Sequence, residues 1–404
     1  MRSLILTIFV GACLAFSARA VAAGTSQIGG VAYAAFDAFC ARNHLGGLVK
    51  LSGNTASSHP QAVPAFSPLG SPAGLGGLQK EDYFRVSGAS GELVFRVESR
   101  QFFFNGARHW LSFPLRRTEA GELRISQVDE SQLLEVLLNG RGAVKGRKFE
   151  GVVIDAGHGG SNRGAVGRNG VAEKTATLAT ANELKRLLQA DGVSVVMTRS
   201  GDRYLGLGAR SSIANRHKNH LFVSIHYNMG RSTSHGVETY ALTPQGAASV
   251  ESAGRRSSRD DTRYPGNRTG PESLLLASMV QRELCKHHSP EGDRGVKWAR
   301  FKVLRDTEMP AILVEAGFLS HAVDAPLIAT ESYRNKIAAA IARGIKSFTA
   351  TMADGPPPVA GTQIAAAVPA ERATTLADAQ SHEKPTAESM RRTPAHAVGR
   401  TLNP

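Results

Sequence analysis

The stretch GVVIDAGHGGSNRGAVGRNGVAE, residues 151–173, decides the fold of the second half of the chain. It opens with the β-branched run 152–154, which predicts a buried strand, and continues into clustered glycines, which predict a tight loop. The loop presents His158, and Glu173 follows where a helix begins. Sites in open α/β sheets lie at the carboxyl ends of strands. We therefore expect the chemistry of the chain at this loop.

Strand and helix patterns alternate over residues 148–350. The predicted strands are 151–154, 193–198, 221–226, 236–242, 301–304 and 311–315, and the predicted helices are 174–190, 207–218, 273–288 and 333–348. Alternation of this kind indicates an α/β fold, with a mixed, mostly parallel sheet covered by helices on both faces. This part of the chain is the predicted catalytic domain.

A smaller β-rich (α+β) domain is predicted over residues 29–147. Strand-like runs at 92–97, 101–104 and 107–115 include an Asn-Gly hairpin signal, and helices are expected at 31–44 and 132–139. The order of strand, Asn-Gly, strand and short helix resembles the small N-terminal domain of copper amine oxidases and of many bacterial envelope proteins. The resemblance implies an accessory module without chemistry of its own.

The N-terminus predicts export. Residues 1–23 combine a short positive start, an apolar run at 4–16 and small-residue cleavage sites, as in a secretory signal peptide. Lipidation at Cys13 is the less favoured alternative, because the apolar run continues past that residue. No later segment is long and apolar enough to cross a membrane. We expect the mature chain in the periplasm or cell envelope, with residues 351–404 as a disordered tail.

The net charge and the cysteines say less about binding partners and disulfide bonds. The formal net charge of +14 favours polyanionic surroundings such as nucleic acid, acidic lipid or an anionic wall polymer, without choosing among them. After signal cleavage two cysteines remain, Cys40 and Cys285, far apart in sequence. Two separate thiols are favoured over a single disulfide bridge.

A metal site with an acid/base group is predicted at the strand ends. His158, Glu173 and His226 offer two imidazoles and a carboxylate, and a hydrolytic zinc site uses three such ligands and one open position. Glu315 ends the apolar run AILVE, where a carboxylate is costly to bury and its pKa tends to rise, as suits a proton shuttle. Each residue alone is more often structural, but their joint placement at strand ends indicates a site. Similar ligand sets also accept other divalent ions.

The motifs around these residues resemble one enzyme family. The matching segments are VVIDAGHGGSNRGAVG, VVMTRSGDRYLGLGARSSIAN, FVSIHYN, HGVETYAL, VLRDTEMPAILVEAGFLS and YRNKIAAAIARGI. Together they resemble the zinc-dependent N-acetylmuramoyl-L-alanine amidases of the bacterial cell wall, over nearly all of residues 150–348.

The resemblance implies one Zn²⁺ held by His158, Glu173 and His226, with Glu315 as the catalytic glutamate. It also implies a sheet of about six strands, and peptidoglycan as the substrate, cut between the muramic acid lactyl group and L-alanine. A protein activator is possible, and nucleic acid is not expected as a partner. Two alternatives stay open: a catalytically silent peptidoglycan-binding or activator protein, and a zinc peptidase that cuts within the stem peptide.

Weaker expectations concern the surroundings of the site. Asn228 and Arg199 lie beside strand ends and are candidates for orienting the substrate, whereas Arg210 is expected to stabilise its helix. The family usually has asparagine where this chain has Thr177, which leaves one supporting hydrogen bond in question. The Ser-, Arg- and Gly-rich segment 243–272 predicts a mobile basic loop at the rim of the cleft.

Overall fold

The first part of the described chain is built mainly from short strands. The computed structural model describes residues 25–46, 48–51, 83–288 and 292–354. We call residues 25–139 the N-terminal region. Its elements are β1 (Ser26–Ile28), β2 (Val31–Ala35), α1 (Phe36–Arg42), β3 (Val49–Leu51), β4 (Tyr83–Gly88), β5 (Gly91–Arg96), β6 (Gln101–Phe104), β7 (Ala107–Trp110), β8 (Arg116–Arg117), β9 (Leu123–Ser126), α2 (Gln127–Asp129), a π-helical turn (Glu130–Leu134) and α3 (Glu135–Asn139).

Strands and helices alternate in the remainder. The elements are β10 (Gly151–Ala156), α4 (Glu173–Ala190), β11 (Ser194–Met197), α5 (Leu207–Asn215), β12 (His220–Asn228), β13 (Val237–Leu242), α6 (Gly270–Cys285), β14 (Asp293–Ala299), α7 (Lys302–Arg305), β15 (Ala311–Phe318), α8 (Asp324–Ala329) and α9 (Glu331–Asp354).

One sheet runs through both parts, in the order β11-β10-β12-β15-β13-β14-β7-β6-β5-β4-β3. β11, β10, β12 and β15 are parallel neighbours, β13 is antiparallel to β15, and β14 is parallel to β13. The first six strands of this order form the mixed, mostly parallel sheet that the sequence predicts. The predicted fold class, an α/β sheet flanked by helices and preceded by a β-rich region, is confirmed.

Successive residues of β10 pack on opposite faces of this sheet. Val152 and Ile154 belong to the large core cluster that also contains the buried side chains of α4, α6 and α9, whereas Val153 belongs to a smaller cluster with residues of α5 and α7. Both faces are therefore covered, which explains why β10 is apolar at consecutive positions rather than at alternate ones. The helix α4 buries Leu184 and Leu188, as its periodicity predicts.

The direction of the strands defines one end of the sheet, the side on which the parallel strands reach their carboxyl ends. β10, β12 and β15 end there, and β13 and β14, which run against β15, begin there. We call this the site edge. Because β7 is parallel to β14, the strand β7 of the N-terminal region also begins at the site edge.

Two predicted elements are corrected by the structure. Residues 301–304 are predicted as a strand, but Phe301 is the N-cap of α7 and residues 302–304 lie in that helix. The strand that the sequence patterns missed is β14, which begins eight residues earlier, at Asp293. The predicted helix at 31–44 begins only at Phe36, because Val31 and Tyr33 alternate with more exposed neighbours in the strand β2. In both places, short-range apolar spacing was compatible with either structure.

The segment 243–272 is anchored to the fold at several points, although most of residues 251–265 are exposed. It follows β13, which runs away from the site edge, so it does not form a rim of the cleft. Asp260 is fully buried, forms an ion pair with Arg300 at 2.9 Å and caps a 3₁₀ turn with Ser257. Arg100 of the N-terminal region donates hydrogen bonds to the carbonyl oxygens of Ser249 and Val250. Asp260 and Arg256 thus attach this polar segment to the rest of the structure, since Arg256 also donates to the carbonyl oxygen of Gly30 at 2.8 Å.

Several predictions lie outside the described residues: the signal peptide at 1–23, Cys13, and the tail beyond α9. That helix continues to Asp354, into the first residues of the predicted tail. Among the residues described, no helix has the length and apolar character of a membrane span. Cys40 and Cys285 are free thiols, as expected.

The N-terminal region joins the rest of the sheet at a seam between β7 and β14. Val296 pairs with His109, whose side chain is fully buried. Its Nδ1 lies 3.0 Å from the carbonyl oxygen of Ala107, and its Nε2 lies 3.0 Å from the hydroxyl of Ser278 in α6. Burial lowers the pKa of His109 to about 4, against the hydrogen bond to Ala107.

This pKa makes the seam sensitive to acid. Between about pH 6.5, where an unfolded histidine titrates, and pH 4, the unfolded chain binds a proton that the folded chain does not. The free energy of unfolding therefore falls as the pH drops through this window, by up to about 3 kcal/mol from this residue. Urea unfolding at pH 7 and pH 4 should show a smaller pH-dependent loss for His109→Gln than for the native chain. His44→Gln, at an exposed histidine, is the control. Equal losses for His109→Gln and the native chain would contradict a buried, neutral imidazole.

Candidate active site

The three side chains predicted as metal ligands converge at the site edge. His158 follows β10, Glu173 is the first residue of α4, and His226 lies near the end of β12. Oε1 of Glu173 lies 3.0 Å from Nε2 of His158 and 3.0 Å from Nδ1 of His226. One potential ligand atom from each residue lies within 4.8 Å of the other two. Within the described part of the chain, no other group of histidine, cysteine and acidic residues meets this criterion.

The parallel register of β10 and β12 brings the two histidines together. Ala156 pairs with Ile225, so Gly157 and His226 are the next positions along the two strands. A Cβ atom at Gly157 would lie only 2.4 Å from Cε1 of His226. The glycine is therefore required by the imidazole that packs against it, and not only by the turn that follows.

Glu173 is buried and held by main-chain amides. The amide of Ala165 donates to Oε2 at 2.9 Å, and the amide of Tyr227 donates to Oε1 at 3.2 Å. The carboxylate also lies at the N-terminus of α4, where the helix dipole favours negative charge. Burial alone would raise its pKa, but the hydrogen bonds from His158 and His226 outweigh burial, and the pKa of Glu173 is lowered. The carboxylate is ionised, as a metal ligand must be.

His158 occupies an unusual backbone conformation. Its φ is 60°, in the left-handed region, which is strained for a residue with a side chain. The Arg210 guanidinium donates to the carbonyl oxygen of His158 at 2.7 Å, and Oδ1 of Asn162 accepts from Nδ1 of the ring at 3.0 Å. These contacts leave Nε2 directed at Glu173. The Asn162 contact assigns a proton to Nδ1, so Nε2, which faces Glu173, is the nitrogen that a metal would bind in place of a proton.

A buried ion pair lies beneath the His158 loop. Asp155 and Arg210 are 0% and 3% exposed, and Oδ1 and Nη1 are 2.7 Å apart. Asp155 also accepts hydrogen bonds from the hydroxyls of Thr198 at 2.6 Å and Ser224 at 2.8 Å. The pair thus joins β10, the end of β11, β12 and α5. Sequence reasoning gave Arg210 a role in its own helix and overlooked Asp155, although a charge directly after the apolar run VVI was the available signal.

Arg199 is enclosed behind the same loop and is not presented to a substrate. It is fully buried, and its guanidinium donates to the carbonyl oxygens of Ala156 at 2.8 Å, Gly157 at 2.7 Å and Lys174 at 2.9 Å. This position does not favour the expectation that Arg199 orients the substrate. The side chain holds the main chain around His158 and the start of α4 instead.

Thr177 supplies a hydrogen bond at the position where the family usually has asparagine. Its hydroxyl donates to the carbonyl oxygen of Gly157 at 2.9 Å and accepts from Nη2 of Arg199 at 3.1 Å. The loop that carries His158 is therefore tied to α4 through this shorter side chain.

Glu315 lies beside the three candidate ligands. In β15 it pairs with His226 of β12 on one side and with Glu238 of β13 on the other. Its Oε2 is buried and has no hydrogen-bond partner among the described residues. Burial and the charges of Glu173 and Glu238 raise the pKa of Glu315 well above its usual range, against the effect of Lys297. A raised pKa of this kind is common among carboxyl groups that act as catalytic acids or bases.

Glu238 organises a cluster that sequence reasoning missed. It is 1% exposed, and Oε2 accepts from Nζ of Lys297 and, at 2.6 Å, from Nε of Arg294. Oε1 accepts from the side-chain Nδ2 of Asn228 and from the hydroxyl of Tyr240, each at 2.8 Å. Asn228, predicted to orient the substrate, thus uses one of its side-chain N–H groups in a hydrogen bond to Glu238. The charged positions within the apolar runs HGVETYAL and DRGVKWA were the signal for this cluster.

The donor set fits a divalent metal such as zinc. Two imidazole nitrogens and one carboxylate oxygen are the ligands of many hydrolytic zinc sites. Supporting hydrogen bonds fix the orientation of His158 and Glu173, as is usual around metal ligands. A carboxyl group with an unused oxygen stands next to the set. The arrangement can polarise a carbonyl group and move a proton at the same point.

The chain is similar in sequence to several known proteins. The family model described as "N-acetylmuramoyl-L-alanine amidase" matches residues 152–347. The N-acetylmuramoyl-L-alanine amidase AmiA of Escherichia coli K12 is 34% identical over 233 residues, which cover 52% of this chain and 81% of that protein. The uncharacterized protein YqiI of Bacillus subtilis is 36% identical over 49% of this chain and 84% of its own length. The solved N-acetylmuramoyl-L-alanine amidase AmiC2 of Nostoc punctiforme is 34% identical, covers 49% of this chain and 95% of its own, and has a TM-score of 0.41.

The Asp155–Arg210 pair generates a prediction with two separate readouts. Arg210→Met leaves Asp155 buried without its cation, which should cost about 3–5 kcal/mol of unfolding free energy. It also removes the donor to the His158 carbonyl oxygen, and zinc affinity should fall about 10- to 100-fold.

The double variant Asp155→Asn with Arg210→Met is the matched control. It removes both charges, so much of the stability should return, whereas the zinc affinity should stay low. Urea unfolding and zinc titration against a competing chelator measure the two quantities. Native zinc affinity in Arg210→Met would refute the role assigned to this pair.

Proposed function

The chain belongs to the N-acetylmuramoyl-L-alanine amidase family, hydrolases that act on peptidoglycan, and we propose that it cuts the amide between N-acetylmuramic acid and L-alanine with one bound Zn²⁺. The observation that carries this proposal is the convergence of His158, Glu173 and His226 beside Glu315 at one edge of the sheet. An active hydrolase is favoured over a silent binding protein, because all four groups that the chemistry needs are present together.

His158, Glu173 and His226 are the proposed zinc ligands. When bound, zinc lowers the pKa of a water molecule toward neutrality and polarises the scissile carbonyl. The chain contributes the orientation of the ligands: Asn162 fixes the tautomer of His158, and two main-chain amides fix Glu173. These supports reduce the rearrangement that metal binding would otherwise require.

Glu315 is the proposed proton shuttle. Its side chain takes a proton from the attacking water and delivers it to the nitrogen of the departing L-alanine. Two features support the assignment: Oε2 has no partner among the described residues, and the surrounding burial and negative charge raise the pKa of the carboxyl group. The pairing of β15 with β12 keeps this side chain next to His226.

The setting of the reaction is part of the proposal. The signal sequence at residues 1–23 exports the chain to the periplasm or cell envelope, where peptidoglycan is available. Cell-wall remodelling or cell separation is the proposed role, with a protein activator as a possible partner. Residues 29–147 form the proposed accessory domain, and residues 148–350 form the catalytic domain.

The variant Glu315→Gln should lose turnover while it keeps metal binding. Glu315→Gln should lower kcat on purified peptidoglycan by about 100-fold or more, because the shuttle is lost, while zinc content stays at the native level. Glu308→Gln is the matched control, since Glu308 is half-exposed and weakly paired with Arg268. His226→Ala should lose both zinc and activity.

The products identify the bond that is cut. Mass analysis should find free peptides that start with L-alanine and intact glycan strands. Fragments cut within the stem peptide would identify a peptidase instead. Full activity in Glu315→Gln would remove this residue from the proton transfer.

A further inference from the structure

Arg294 lies at the site edge, two strands away from Glu315. It is the second residue of β14, which begins at this edge, and Glu238 of β13 stands between it and β15. Its side chain is 32% exposed, whereas the Glu238 side chain is 2% exposed. Arg294 is therefore the solvent-facing member of the charged cluster next to the catalytic carboxyl group.

The guanidinium of Arg294 is held rigidly with its outer end unused. Nε donates to Oε2 of Glu238 at 2.6 Å, and Cζ lies 4.6 Å from the centre of the Phe318 ring. The two terminal nitrogens make no hydrogen bond to any residue that the structure describes. An arginine fixed at Nε and by its flat face, with both Nη groups open, is arranged for a bidentate contact with a carboxylate.

Glu238 does not neutralise this arginine. The same carboxylate oxygen, Oε2, also accepts from Nζ of Lys297, which is buried. One negative charge is therefore shared by two cations, and the group of three carries an excess positive charge. Glu238 positions the guanidinium and leaves part of its charge available to an anion.

The N-terminal region fixes the main chain on which Arg294 stands. Trp110 donates from Nε1 to the carbonyl oxygen of Arg294 at 2.9 Å, and the amide of Arg108 donates to Oδ2 of Asp293 at 2.8 Å. Gly295 packs so closely that a Cβ would lie 2.7 Å from the Arg108 carbonyl oxygen. The start of β14 is thus clamped against β7 on one side and β13 on the other.

We propose that Arg294 binds a carboxylate on the peptide side of the scissile amide and makes the enzyme prefer stem peptides whose second residue carries a free α-carboxylate. This inference rests on the proposed amidase function. The residue that follows L-alanine has an α-carboxylate when it is D-glutamate and an uncharged carboxamide when it is D-isoglutamine. A fixed guanidinium distinguishes these two groups by charge and by its paired donors.

Binding of the released peptide tests the proposal without turnover. L-alanyl-D-glutamate and L-alanyl-D-isoglutamine are titrated into the zinc-loaded mature chain. The native protein should bind the first about 10- to 100-fold more tightly, the range expected of a charge-assisted pair. In Arg294→Gln this ratio should fall close to one, and in Arg294→Lys it should be intermediate, because lysine keeps the charge without the paired donors.

Arg186→Gln is the matched control. Arg186 is also paired with a glutamate, Glu183, but it lies near the end of α4, far from the site edge. It should keep the native ratio. Thermal unfolding verifies that Arg294→Gln is folded, and Arg294→Lys decides the question if it is not. A native ratio near one, or an equal loss of both peptides in the Arg294 variants, would overturn the proposal.

Kinetics on the two corresponding muramyl dipeptides separate this proposal from the proposed function. The ratio of kcat/KM values, carboxylate over carboxamide, should follow the binding ratio in the native chain and in each variant. If the native chain hydrolysed neither substrate, the amidase assignment would fail, and the peptide titrations would still decide whether Arg294 recognises the carboxylate. Hydrolysis of both at equal rates would retain the amidase and refute the role of Arg294.

Discussion

The buried ion pair between Asp155 and Arg210 is the interaction on which the site most depends. Removing two charges from water costs several kcal/mol for each ion, and the cost is offset only where hydrogen bonds satisfy both groups. Here the hydroxyls of Thr198 and Ser224 complete Asp155, while Arg210 continues to the carbonyl oxygen of His158. The pair thereby connects the paired strands to the main chain of His158 and holds this strained loop residue in place. A side chain on a tight loop needs such support if it is to bind a metal in a fixed geometry.

The sequence indicates the four side chains that meet at the site better than it indicates the groups that hold them, for a physical reason. His158, Glu173, His226 and Glu315 lie at the ends of apolar runs or beside clustered glycines, so their local sequence marks them out. Asp155 shows the same signal, but its partner Arg210 is fifty-five residues away, and no local pattern shows that the two meet. Arg199 was misjudged in the same way, because burial among main-chain carbonyl oxygens is a property of the fold and not of the neighbouring residues.

The strand β14 was missed because three charges, Asp293, Arg294 and Lys297, interrupt its apolar pattern. Arg294 and Lys297 both donate to Glu238 on the adjacent strand, and Asp293 accepts hydrogen bonds from Arg108 and Gln281. A central strand tolerates charge where the neighbouring strands supply partners at the matching register. The Asn-Gly hairpin of the N-terminal region was predicted from its turn, but its attachment to β14 depends on the distant pair Val296 and His109.

The order of the strands explains why the N-terminal region bears on the site. Along β12, β15, β13, β14 and β7 the side chains of His226, Glu315, Glu238, Lys297 and Trp110 occupy neighbouring strands, and Nζ of Lys297 lies 5.5 Å from the centre of the Trp110 ring. A shift of one residue in any of these pairings would turn a side chain to the opposite face. Without β7, the strand β14 would be an exposed edge, free to move or to pair elsewhere. The N-terminal region therefore covers β14, the strand whose cations Arg294 and Lys297 contact Glu238. The position of Glu238 beside Glu315 depends in this way on strand pairings that reach into the N-terminal region.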